Sequence, residues 1–254
     1  VIFKLDAVNS AVVIGAGHGI GAALVKNILV ANEKVRIFAS YNNVEKVGPL
    51  KELQSKYQER LSVFKVDPTS EEDLAEFKSA VALVNPKIEL LINSVGFLQE
   101  GEIGPERSLR DVSKNALSRY FEVNSIPQLL IAKEFHPLFK HSSPSCMVAV
   151  SAKVGSIGDN SLGGWYGYRA SKAALNMFVK GVSLEYSRRG CKSLVLSIHP
   201  GTTKTDLSAD FTKNTHYKLH SPDETAVNIL TVIDGKSLEK SGSFYSWDGE
   251  ELPW

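Results

Sequence analysis

A short apolar run, Ala11-Val-Val-Ile14, opens directly into Gly15-Ala-Gly-His-Gly19-Ile-Gly21, and a helical stretch over about 19–31 follows. No other feature restricts the fold of this chain as much. A strand, a glycine turn and a helix start gather free backbone N–H groups and the positive end of a helix dipole in one place. Glycines at that point let backbone approach a pyrophosphate and let the helix pack tightly on the sheet. A plain tight turn needs none of this order, so the flanking strand and helix carry the inference.

The alternation continues to the far end of the chain. Apolar runs occur at Val35–Ala39, Leu61–Val66, Ile88–Ile92, Met147–Val150 and Leu194–Ile198, with a short one at Ser243–Ser246. Between them lie helical stretches at about 44–57, 71–84, 108–139, 168–188 and 222–233, the third interrupted by Pro127. Apolar strands spaced by helices predict an α/β protein: a single-domain, doubly wound, Rossmann-type parallel sheet of about seven strands with helices on both faces. No repeat, low-complexity tract or long polar linker divides the sequence, so residues 1–254 are expected to form one domain.

Composition narrows the function. Lys+Arg 29 against Asp+Glu 28 leaves a net charge of +1, which offers no electrostatic footprint for nucleic acid or an acidic membrane surface. No apolar run approaches the ~20 residues that cross a bilayer, and residues 1–10 do not read as a signal peptide. Cys146 and Cys191 lack metal-site or redox-motif spacing and read as free thiols in a reducing compartment. No His, Cys, Asp and Glu cluster has metal-ligand spacing. A cytoplasmic protein without a metal is the expectation.

Tyr168 and Lys172 lie four apart in Tyr-Arg-Ala-Ser-Lys, which puts a phenol and an ammonium on one helix face. A phenol with a pKa of about 10 is a reluctant acid–base group near neutrality. A neighbouring cation favours phenolate, so Lys172 is expected to lower the pKa of Tyr168.

These residues resemble the short-chain dehydrogenase/reductase family from Gly15 through Asp206. Gly15, Gly19 and Gly21 match its glycine turn, with His18 and Ile20 inside it. Asn93-Ser94-Val-Gly96 resembles the Asn-Asn-Ala-Gly after the fourth strand, with Ser94 in place of the second Asn. Val123-Asn124 resembles the site of a catalytic asparagine, and Ser151, Tyr168 and Lys172 complete the tetrad. Pro200-Gly201 with Thr203 and Thr205 resembles the turn that closes on the nicotinamide. Within the family, Gly104–Asp111, Ser151–Asn160, Gly163–Lys172 and Trp247–Trp254 are most similar to the C-factor (C-signal) cell-signalling subgroup.

The resemblance implies an NAD(P)-dependent oxidoreductase acting on a small-molecule carbonyl or alcohol. Tyr168 would be the general acid/base, Ser151 would hold the reacting oxygen, Lys172 would reach Tyr168 and the cofactor ribose, and Asn124 would hold a water beside Lys172. It also implies a homo-oligomer, a dimer or tetramer, and a second reading as a nucleotide-binding signalling protein. The second strand ends in Ala39-Ser-Tyr-Asn-Asn43 without the acid that grips the adenine ribose of NAD. NADP is therefore favoured over NAD, with Ser40 and Asn42 as phosphate partners and His18 or Lys46 as the nearby cations. Asp67 is expected at the adenine. Val95, Phe97, Val154, Trp165, Leu207 and Phe211 are expected to line the substrate pocket, with Thr205–Lys218 as a candidate lid.

Overall fold

In the computed structural model, which describes residues 1–209 and 218–254, six apolar runs become strands β1 (Ser10–Ile14), β2 (Arg36–Tyr41), β3 (Leu61–Lys65), β4 (Leu90–Asn93), β5 (Ser145–Val150) and β6 (Ser193–His199). After a small parallel pair, β7 (Thr202–Thr203) and β8 (Leu219–His220), the strand β9 (Phe244–Ser246) completes the main sheet. Its seven strands run in the order β3-β2-β1-β4-β5-β6-β9, every pair parallel. The direction of winding reverses between β1 and β4. A crevice opens there beyond the carboxyl ends of the strands, where doubly wound sheets bind ligands.

Strand alternation divides the core into two layers. Ala11, Val13, Leu90, Ile92, Cys146, Val148, Leu194 and Leu196 face one side, with residues of α1 (Gly19–Ala31), α2 (Gly48–Lys56) and α7 (Pro222–Ile233). Val12, Ile14, Leu91, Met147, Ala149 and Val195 face the other, under α3 (Glu71–Val84), α5 (Ile126–Phe135) and α6 (Tyr166–Arg188). Both faces are covered, which is why these strands read as continuous apolar runs.

Local chemistry sets the helix ends. Ser70 accepts from the Asp73 N–H and precedes three acids in the first turn of α3, and Ser221 with Glu224 forms a capping box on α7. The stretch expected as one helix over 44–57 is instead a 3-10 turn at Val44–Lys46 followed by α2, with Pro49 in the first turn of the latter. Pro127 splits the 108–139 region into α4 (Lys114–Asn124) and α5, because it offers no N–H to the Val123 carbonyl one turn back. That break sits at Asn124. Among the described residues, no helix is long and apolar enough to cross a membrane.

Candidate active site

The crevice above β1 and β4 is a cleft of about 320 Å³. Gly15, His18, Gly19, Ile20 and Gly21 form one wall, and Asn42 and Asp67 lie at one end. Ser94, Gly96, Ser151, Tyr168, Lys172, Pro200 and Thr205 close the other side. One surface thus collects the glycine turn, the serine, and the tyrosine with the lysine from three separate chain segments.

The glycine wall has the shape a dinucleotide requires. Gly15 and Gly19 adopt φ of 80° and 56°, in the left-handed region that glycine enters without cost. A Cβ on Gly21 would press into the Gly15 carbonyl and stand 2.7 Å from the Ser94 hydroxyl, so only glycine lets α1 sit this close. His18, the residue before α1, makes no side-chain capping bond, which leaves the first N–H groups of the helix available to an anion. Ser94 donates to the carbonyls of Ile14 (2.8 Å) and Gly15 (3.1 Å), fastening β4 to the turn.

Tyr168 and Lys172 are 8% and 3% exposed and share the inner face of α6. Burial pushes the Tyr168 phenol up to about 12 and the Lys172 ammonium down to about 8. The expected lowering of Tyr168 by Lys172 is therefore absent from this structure. Desolvation acts on both groups, and the ammonium donates to the Val150 carbonyl at 3.2 Å. At neutral pH this leaves a protonated phenol beside a charged lysine, the pairing a proton donor needs.

Several elements fix the phenol. Tyr120 and Trp165 meet its ring edge-on, with centroids 6.2 and 6.0 Å away. Gly155 lets the loop after β5 close on the helix, since a Cβ there would lie 2.8 Å from that of Lys172. The start of α6 is held from a distance. Trp165 has a left-handed φ of 51°, its N–H donates to the Glu106 carbonyl at 2.6 Å, and the Glu106 carboxylate accepts from the Gly167 N–H at 3.1 Å. Glu106 is 2% exposed and was not singled out in the sequence, where a glutamate 61 positions from its partner leaves no local signature.

Other expected site residues lie behind the lining. Ser40 is buried and its hydroxyl has no partner among the described residues, so it does not present itself to the cleft; Tyr41, Asn42 and Asn43 do. Asn93 donates to Gln128 at 3.0 Å inside the core, and Thr203 pairs with Thr225 at 2.8 Å. Gly201, at φ 75°, packs on Trp247 and His220. The Asn124 side chain accepts from the Phe97 N–H and donates to the Phe97 carbonyl and the Ser171 hydroxyl, so its amide has no N–H left for a water beside Lys172. Ser151 donates to the Asn176 amide oxygen at 2.7 Å. Arg119 and Val123 of α4 line the cleft and were not foreseen.

Of the expected substrate wall, Val95 and Leu207 line the cleft, while Phe97, Val154 and Trp165 pack in the cluster around Tyr168. Phe211 and most of the candidate lid lie outside the described residues. Lys46 reaches across the cleft mouth to Asp206 at 2.6 Å. Partial burial and then the Lys46 charge hold the His18 ring below its ordinary value, with Asp206 pulling the other way.

A glycine-walled crevice at the switch point of a parallel sheet, ending at a buried Ser–Tyr–Lys group, defines a nicotinamide-dependent oxidoreductase. The chain belongs to the short chain dehydrogenase family, whose sequence profile matches residues 9–216. An uncharacterized oxidoreductase of Schizosaccharomyces pombe is 29% identical over 251 residues, covering 94% of this chain and 96% of that protein. The C-signal protein of Myxococcus xanthus is 33% identical over 168 residues, covering 66% of this chain and 93% of its own length. Among solved structures, the NADPH-bound carbonyl reductase from chicken fatty liver superposes with a TM-score of 0.85 at 27% identity, covering 97% of this chain and 99% of that one.

Proposed function

We propose that the chain reduces a carbonyl, or oxidises the corresponding alcohol, with NADP(H) as the favoured cofactor. The observation that carries this is the meeting of Ser151, Tyr168 and Lys172 at one end of a cleft whose other wall is the glycine turn. When bound, the reduced nicotinamide supplies the hydride. Tyr168 donates its phenolic proton to the substrate oxygen as negative charge builds there. Ser151 hydrogen-bonds the same oxygen and keeps it in line. Lys172, charged below about 8, lowers the cost of the resulting phenolate and would hold the cofactor ribose from its place in the cleft lining. Asn124 acts by bracing Phe97, its side chain being committed to that residue and to Ser171.

The likeness to an NADPH-bound carbonyl reductase supports the cofactor preference. So does the absence of an acid in Ala39-Ser-Tyr-Asn-Asn43. Lys46 would supply the positive charge for a 2′-phosphate, the neutral His18 ring would offer a hydrogen bond, and Asp67, which lines the cleft, would hold the adenine. The Ser40 carbonyl accepts from the Ala16 N–H at 2.6 Å, so this residue braces the glycine turn and leaves the phosphate to others. The test is a purified chain titrated with NADPH and NADH and offered a panel of aldehydes and quinones. Turnover lost in Tyr168→Phe supports the assignment; a chain that binds NADPH and reduces nothing argues against it.

The similarity to C-signal supports membership of the C-factor subgroup and, with it, a second reading in which the nucleotide-bound surface signals and turnover is secondary. Tyr168→Phe separates the two, because a signalling surface survives the loss of one hydroxyl. The same reading treats residues 1–254 as one domain of a cytoplasmic homo-oligomer. Exposed Ile126 and Leu129 on α5, with Met177 and Leu184 on α6, suit helix-to-helix pairing between copies. Light scattering at increasing concentration tests it.

A further inference from the structure

Ser151 does not stand alone. Asn176 follows Lys172 by four residues and Tyr168 by eight, so its carboxamide continues the same helix stripe into the protein. It is 2% exposed, and its Oδ1 accepts the Ser151 hydroxyl at 2.7 Å. Its Nδ2 is buried with no hydrogen-bond partner among the described residues. A buried amide that leaves both N–H donors unpaired is costly, on the order of 1–3 kcal/mol.

We infer that Asn176 is a positioning residue for Ser151, and that its amide sets which way the serine proton points. This rests on the oxidoreductase reading above. The two ends of a primary amide are nearly isosteric, and turning it over exchanges the acceptor facing Ser151 for a donor. With Oδ1 toward Ser151, the hydroxyl proton points at Asn176 and the cleft meets serine lone pairs, which suit an alcohol O–H. With Nδ2 toward Ser151, the amide donates to Oγ and the hydroxyl proton points into the cleft, which suits a carbonyl oxygen. The turned amide also pairs one of the orphaned N–H groups, so the two orientations are close in cost. A carbonyl and its alcohol product need opposite polarity from the same serine, and this amide provides either. Asn176 touches neither substrate nor cofactor in this arrangement; it acts through Ser151.

The experiment compares wild type with Asn176→Asp, Asn176→Leu, Ser151→Ala and the double variants, with Tyr168→Phe as control. The probes are 4-nitrobenzaldehyde, menadione and 9,10-phenanthrenequinone with NADPH. Asn176→Asp keeps the shape and the acceptor but has no donor, so it holds the serine proton away from the cleft. It is expected to lower kcat about 10²-fold, as loss of one oxyanion donor does, with the NADPH dissociation constant within twofold of wild type. In the Ser151→Ala background either Asn176 variant is expected to cost nothing more, because both changes remove one action. An Asn176 variant that folds and keeps wild-type kcat, or whose loss adds fully to that of Ser151→Ala, overturns the proposal while leaving the parent reading intact. Wild type inactive on every probe sinks both. If Asn176→Leu does not fold, the aspartate variant alone carries the comparison.

Discussion

The Lys172 ammonium donates to the Val150 carbonyl at 3.2 Å and lies 5.9 Å from the centroid of the Tyr168 ring. The end of β5 therefore anchors the lysine beside the phenol, and the two buried side chains share one stretch of the cleft lining. Burial acts on them in opposite senses, raising the phenol and lowering the ammonium.

The first expectation concerns pH. Lys172 is charged below about 8 and neutral above it, while Tyr168 keeps its proton throughout that range. Carbonyl reduction should have a level kcat/KM on the acid side of about 8 and a fall on the alkaline side. A profile that instead rises through this point would show that charged lysine is not the working form.

The same burial has a cost in stability. The unfolded chain holds the Lys172 proton up to 10.5, the folded one only to about 8. Between those values the unfolded state binds more protons, so stability climbs with pH across that window, and the full cost applies below it. Replacing Lys172 with Met removes an opposing term on the order of 3 kcal/mol at pH 7. The variant should melt higher than wild type at pH 7, lose that advantage above pH 10.5, and be inactive.

Lys46 offers a test of cofactor choice. Its pair with Asp206 is exposed on both sides and adds little to stability. Lys46→Ala should leave the melting temperature unchanged and weaken NADPH binding about tenfold, or about 1.4 kcal/mol, with NADH unaffected. Equal losses for the two cofactors would remove Lys46 from the 2′-phosphate.

Gly21 is the sharpest steric test. In Gly21→Ala the new methyl must displace the Gly15 carbonyl, the Ser94 hydroxyl or the helix itself. Destabilisation of about 1–3 kcal/mol by overpacking should accompany loss of nucleotide affinity. Isothermal titration with NADPH and a thermal melt measure both, and a variant with wild-type values would mean that α1 can shift freely.

The strand positions were legible because a sheet covered on both faces needs apolar residues at every position, as in Ala11–Ile14 and Met147–Val150. The glycine turn and the Tyr168–Lys172 stripe were legible because each is a local spacing. Facing was harder to read. Ser40 and Thr203 sit beside cleft residues in sequence, yet strand alternation and the Thr225 contact turn them inward. The direction of the Tyr168 shift differs from the expectation because it depends on burial, which a spacing does not contain. Asn176 left a signal that was available, the same four-residue step taken once more.

Glu106 makes the beginning of α6 answerable to a distant part of the chain, since its carboxylate and carbonyl both hold the first turn. The Glu100–Asp111 segment is thereby coupled to the helix that carries Tyr168 and Lys172. A change there, Glu106→Ala for one, would loosen the first turn of α6 and the placement of the reacting hydroxyl without altering a residue that lines the cleft.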